Sequence, residues 1–230
     1  MTRRELLKHL ADTITQIRKS HPLRIAIDGV RTSGKTILAG ELSTELEQYN
    51  HPAIMASVEG FHNPRENRYR KGRNSPEGYY LDSFDNNAII NNLLQPLGPK
   101  GNLEFKTAVF DFKTNTKVIS SLQKAETNSI LLFEGVFLFR PELKDHWDFK
   151  IFLDVDFETT VKRACERDYH LGTVQEITEK YAERYNPGQK LYLEQAKPKQ
   201  QANIVIDNNE FKKPRITKEK KSNHFDPQIP

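Results

Sequence analysis

The chain has a single cysteine, Cys165, among its 230 residues, so it holds no internal disulfide. One thiol suits a reducing compartment. No apolar run approaches the length needed to cross a bilayer, so no membrane partner is expected. Arg3 and Arg4 are not followed by the apolar stretch of a signal peptide, and Glu5 and Asp12 argue against a transit peptide. The expected location is cytoplasmic. Charge of one sign is also scarce: 35 Lys and Arg against 31 Asp and Glu leave +4, which does not by itself demand nucleic acid. The Asn/Thr-Lys-x-Asp signature that reads guanine in nucleotide switches is absent, and no internal repeat is visible.

What is present is unevenly polar. Mean hydropathy is −0.72, yet the polarity is concentrated in residues 62–87 and after 207. This predicts one folded domain over 1–207, with an N-terminal helix within 1–21. A basic substrate loop over 60–85 and a lid over 163–190 interrupt it, and a polar, loosely ordered tail over 208–230 follows. The tail's cations, Lys212, Lys213, Arg215, Lys218, Lys220 and Lys221, alternate with Glu210, Glu219 and Asp226. Nucleic acid is therefore not an expected partner. Assembly into a homo-oligomer stays open.

The organising stretch is Gly29-Val30-Arg31-Thr32-Ser33-Gly34-Lys35-Thr36. Gly, four free positions and Gly-Lys-Thr form the phosphate-binding P-loop pattern. Backbone N–H groups wrap phosphate best where side chains are absent, at Gly29 and Gly34. The following helix offers unpaired N–H groups and a favourable dipole. Lys35 reaches the outer phosphates, and the Thr36 hydroxyl is placed to ligate Mg²⁺. The β-branched run 23–27 before the loop and the helical spacing of Ile37, Leu38, Leu42 and Leu46 after it supply the strand–loop–helix context.

Apolar strand candidates recur at 53–58, 130–133, 149–155 and 202–206, alternating with helical stretches at 86–94, 157–168, 173–185 and 188–195. That alternation predicts an α/β fold, a three-layer sandwich whose mostly parallel sheet carries helices on both faces and a helical lid. Residues 62–80, rich in Pro, Gly and Arg, read as irregular loop.

Carboxylates at strand ends are the candidates for chemistry. Glu59 follows the second strand and could accept the proton of an attacking hydroxyl; Asp82 and Asp111 compete for that role. Glu134 follows four apolar residues, where P-loop proteins hold Mg²⁺. Arg163 and Arg167 lie at a helix end, where arginines close on a transferring phosphoryl group. Arg65, Arg68, Arg70, Lys71 and Arg73 could bind an anionic acceptor or simply be solvated.

This ordered set resembles the uridine kinase, phosphoribulokinase and pantothenate kinase group of P-loop kinases, from about residue 22 to 207. Val58-Glu59-Gly60-Phe61 resembles the group's Asp-Ser-Phe or Asp-Gly-Phe segment, whose acid is the base. Ala108-Val109-Phe110-Asp111-Phe112 resembles the Pro-x-Tyr-Asp-Phe substrate segment, Phe133-Glu134-Gly135-Val136 the Leu-Glu-Gly-Ile segment, and Arg163 to Asp168 the lid pattern. The resemblance implies an ATP- and Mg²⁺-dependent kinase that phosphorylates a hydroxyl of a nucleoside or related small molecule. It implies Glu59, Lys35 and Arg167 in catalysis, with Arg163 and Arg167 on the nucleotide. Glu59, His62, Arg68, Arg70, Phe110, Asp111 and Asn115 fall to the acceptor, and Thr36 and Glu134 to the metal. Glutamate replaces the aspartate base. Phe110 stands where uridine kinases have Tyr, and Asn115 where they have the pyrimidine-reading His. Altered hydrogen-bonding groups predict an altered acceptor. Pantothenate-type or sugar-phosphate-type transfer, and a non-catalytic nucleotide-binding protein, are the competing readings.

Overall fold

The computed structural model describes residues 1–119 and 121–220. In chain order its elements are α1 (Arg3–Thr15), β1 (Leu23–Gly29), α2 (Lys35–Glu47), β2 (Ala53–Ser57), α3 (Arg65–Arg68), α4 (Pro76–Asp82) and α5 (Asn86–Ile89). Four short strands follow, β3 (Glu104–Phe105), β4 (Phe110–Asp111), β5 (Thr116–Lys117) and β6 (Gln123–Lys124). The chain then runs through β7 (Ile130–Gly135), β8 (Phe149–Asp154), α6 (Phe157–Arg167), α7 (Val174–Lys180), α8 (Asn186–Ala196), α9 (Pro198–Gln201), β9 (Ile204–Asp207) and β10 (Arg215–Glu219).

The main sheet has the order β10-β9-β8-β1-β7-β2. All its pairings are parallel except β10 against β9. Alternation along β1 sends Ile25 and Ile27 to one face, where Leu38, Leu42 and Leu46 of α2 and Leu6 and Leu10 of α1 cover them. Ala26 and Phe133 point to the other face, beneath Tyr79, Leu93 and Tyr192. The sheet is thus buried on both sides, as parallel sheets require. Thr2 opens α1 with a capping box to Glu5.

Three local expectations change. Residues 62–80 are not irregular throughout. Ser75 caps α4 by accepting the Gly78 N–H at 3.0 Å, and Pro76 starts the helix. Residues that read as loop punctuation are helix-start signals here, and the core contacts of Tyr79 and Tyr80 hold the helix. The segments 173–185 and 188–195 are not separate helices: the wide turn Tyr181–Tyr185 joins α7 to α8, with Pro187 in the first turn of α8. Over residues 208–220 the chain is not loosely ordered, because β10 pairs antiparallel with β9 and Arg215 holds Asp207 at 3.0 Å. Residues 221–230 of the expected tail, including Lys221 and Asp226, lie outside the described residues. Asp85 caps α5, its carboxylate accepting the Ala88 N–H at 2.9 Å.

Candidate active site

The phosphate loop links the C-terminal end of β1 to α2, the edge where open α/β sheets take ligands. Its glycines are required by protein contacts. A Cβ on Gly29 would meet Leu153 O and Ser33 Oγ, each at 2.7 Å, and Gly34 has φ 96°. Asn208, wholly buried, donates from Nδ2 to Ser33 O at 2.7 Å. The Thr32 hydroxyl donates to Thr160 O at 2.7 Å. Arg163 donates to the carbonyls of Asn208 (2.8 Å) and Asn209 (2.9 Å). The loop is therefore clamped from α6 and from the segment after β9.

Lys35 is buried and donates from Nζ to Val30 O at 2.7 Å. Burial pulls its ammonium down to about 8, against the opposing pull of Glu134 and Asp28. Asp28, next to last in β1 and on the same face as Ala26, is fully buried. It accepts the Gly29 N–H at 2.7 Å and the Tyr192 hydroxyl. Burial pushes its carboxyl up to about 6, and the Tyr192 and Gly29 hydrogen bonds hold it from going further. Gln189, also on α8, accepts the Arg31 N–H, so two side chains of α8 reach the loop.

Around the loop opens a cleft of ≈ 1120 Å³ whose walls include Lys35, Thr36, Glu59, His62, Glu134 and Arg167. Glu59 stands in the short helical turn after β2, 45% exposed. His62 Nδ1–H donates to Glu59 O at 3.0 Å, which fixes the tautomer and leaves Nε2 as an acceptor. Its ring lies 4.6 Å from Phe84 and 4.7 Å from Phe112, and burial pushes its pKa down. Arg167 grips Asp168 with both Nε (2.6 Å) and Nη2 (2.7 Å), which raises the guanidinium pKa and lowers that of the carboxyl.

Other residues singled out from the sequence stand apart from the cleft wall. Arg70 pairs with Asp82 at 2.6 Å. Asp111 turns the β4–β5 hairpin, accepting from Lys113 N and the Thr114 hydroxyl. Asn115 accepts the Arg65 N–H at 2.8 Å, and Phe110 is a buried packing residue. Phe112 and Lys113 line the wall instead. The cleft also contains Arg184, Tyr181 and Phe211, which sequence reasoning missed, as it missed Asp28. An acid closing an apolar strand pointed to Glu134 and could equally have pointed to Asp28.

The model of the cytidylate kinase-like family matches residues 24–210. The chain belongs to the cytidylate kinase-like family. Among similar proteins, a uridine kinase of Ligilactobacillus salivarius is 24% identical over 82% of this chain and 86% of that one. Uridine-cytidine kinase B of Dictyostelium discoideum is 28% identical over 70% of this chain and 64% of its own. The solved structure of a possible uridine kinase from Bacillus stearothermophilus superposes with a TM-score of 0.69 at 25% identity, covering 88% of this chain and 97% of that chain. This cytidylate kinase-like chain is accordingly a P-loop phosphotransferase of the uridine kinase-like kind, acting on a hydroxyl of a small molecule.

Proposed function

We propose that the chain transfers the ATP γ-phosphate to a hydroxyl of a nucleoside or a related metabolite, with Glu59 as general base. The observation carrying this is the convergence of Glu59, Lys35, Thr36, Glu134 and Arg167 on one cleft at the C-terminal edge of the sheet. The uridine kinases among its relatives make pyrimidine nucleosides the first acceptors to try.

In this reading the loop's N–H groups and the start of α2 cradle the phosphates, and Lys35 leaves Val30 O for an outer phosphate oxygen. The Glu59 carboxylate takes the acceptor's proton as its oxygen meets the γ-phosphorus. Arg167 and Arg163 sit on the nucleotide's side, and Arg167 turns from Asp168 to the equatorial oxygens. His62 orients the acceptor through Nε2. The donors suit Mg²⁺: Thr36 is exposed to the cleft, and Glu134 forms no ion pair among the described residues. No cluster of three metal-binding side chains occurs among those residues, and a metal held mostly by phosphate and water needs none. When bound, Mg²⁺ offsets charge on the phosphate oxygens. Phe110 and Asn115 are occupied structurally, so the acceptor's base would be read by other groups than in uridine kinases.

The test is ADP release from Mg-ATP against uridine, cytidine, purine nucleosides and phosphorylated sugars, with Lys35→Ala as control. Turnover with one acceptor, lost in the control, is expected. ATP binding without turnover of any acceptor counts against the reading.

A further inference from the structure

Three guanidinium groups converge beside Glu59: Arg31 of the phosphate loop, Arg68 of α3 and Arg184 of the turn before α8. Aromatic rings hold them. Arg31 lies 4.4 Å over Tyr185, while Arg68 (5.5 Å) and Arg184 (4.8 Å) share Tyr69. Arg68 and Arg184 are only 8% and 5% exposed.

Their charge is poorly answered: Arg184 donates to the Arg73 carbonyl, a neutral partner. Among the described residues none of the three forms an ion pair with a carboxylate, whereas Arg24, Arg70, Arg140 and Arg167 each do. Arg31 Nε, Arg68 Nε and the hydroxyl of Tyr181 are buried with no hydrogen-bond partner among those residues. Glu59 is the carboxylate whose charge acts on both Arg31 and Arg68. Burial lowers the pKa of Arg68, and repulsion from Arg65 and Arg184 adds to that. Crowded, desolvated like charges are costly unless an anion completes them. Two cations further along the segment differ, because Arg70 and Lys71 are satisfied by Asp82 and Glu77.

The nucleotide has its own cradle in the loop, Lys35 and the α2 N-terminus. Arg68 instead follows Glu59 and His62 on one segment, on the acceptor's side. We propose that Arg31, Arg68 and Arg184 form a subsite for a phosphate carried by the acceptor, so that the substrate is a hydroxyl compound that also bears a phosphate monoester. This deepens the kinase reading above and rests on it. With no carboxylate in ion-pair contact among the described residues, the three guanidinium groups hold surplus positive charge, which suits a phosphate's charge of about −1.5 to −2 better than a single carboxylate group. Planar guanidinium forks suit phosphate oxygens in pairs. In the transfer the acceptor oxygen bonds to the γ-phosphorus, the bond from that phosphorus to the β–γ bridging oxygen breaks, and the proton passes to Glu59. ADP leaves, and the acceptor's own phosphate is unchanged.

The test is calorimetry with the full chain saturated by Mg²⁺ and a non-hydrolysable ATP analogue, which fills the γ-phosphate position. Inorganic phosphate, methyl phosphate and acetate are then titrated separately. The expected result is one site for both phosphates, with acetate weaker. Arg68→Gln and Arg184→Gln should each weaken it about tenfold with analogue affinity unchanged, which also shows that the variants fold. Phosphate binding that is absent, or unaffected by both substitutions, overturns the proposal. So does acetate binding as tightly as phosphate, or analogue affinity falling in step, which would assign the arginines to ATP. Failure of the wild-type chain to bind the analogue would sink the kinase reading itself, and this subsite with it.

Discussion

Tyr192 on α8 donates its hydroxyl to the buried carboxylate of Asp28, the residue immediately before the phosphate loop. The same hydroxyl oxygen accepts the Phe139 N–H at 3.0 Å. One side chain therefore joins α8, the loop after β7 and the foot of the phosphate loop.

Removing that hydroxyl with Tyr192→Phe should destabilise the fold by about 1.5–3 kcal/mol, the range for a hydrogen bond to a charged group. The loss should depend on pH. The Asp28 carboxyl titrates at about 6 in the fold against a reference of 3.8. The folded chain therefore holds the proton more tightly, and stability falls as pH rises between those values. Without Tyr192 the folded value climbs further and the window widens upward. Urea unfolding should show a larger deficit at pH 8 than at pH 5; an equal deficit would mean that the hydroxyl does not serve the ionised carboxyl.

Lys35 gives a second pH dependence, from the same burial acting on a base instead of an acid. Its ammonium is charged only below about 8 in the free chain. Phosphate needs the charged form, so nucleotide affinity should hold to that point and then fall by up to about tenfold per pH unit. In Lys35→Arg the guanidinium stays ionised, so affinity, though weaker, should be flat to pH 9.5. Nucleotide titrations between pH 6.5 and 9.5 decide this, and a profile of the same shape in both chains refutes it.

Local patterns carried most of what the sequence disclosed. The strand, loop and helix around Gly29–Thr36 were legible because all their determinants lie within one short run. Glu134 was legible because four apolar residues precede it. What stayed hidden depends on distant partners. Tyr192 meets Asp28 across 164 residues, and Asn208 meets Ser33 across 175. Arg184 looks like any charged helical residue until Tyr69 and Tyr79 fold beside it. Asp111 and Asn115 sit in a stretch resembling a substrate segment, yet the β4–β5 hairpin uses their polar atoms for its own turn and for the Arg65 N–H.

Arg24 and Asp148 form a buried pair beneath the sheet, 6% and 7% exposed, with Nε at 3.0 Å from Oδ2 and Nη2 at 3.2 Å from Oδ1. The Arg24 backbone N–H adds a third bond to the same carboxylate at 2.9 Å. Asp148→Ala strands the guanidinium in the core and should cost about 3–5 kcal/mol. Asp148→Asn keeps one acceptor and should cost less. Denaturant midpoints of the two variants test this; Ala as mild as Asn would show that water reaches Arg24.

Glu59 is the sharpest case, because its side chain is one methylene longer than the aspartate base that the resemblance to the kinase group implies at this position. If its carboxylate takes the acceptor proton, Glu59→Gln should lower kcat about 10²- to 10⁴-fold and change the KM for ATP little. Glu59→Asp should recover part of the rate, the base being kept but drawn back by one methylene. The His62 ring is held by Phe84, Phe112 and the Glu59 backbone carbonyl, so neither substitution removes its anchor. A Gln variant within twofold of wild type in kcat would take the base role from Glu59. Glu134 would then be the next carboxylate to test, since it too lines the cleft and its charge acts on Lys35.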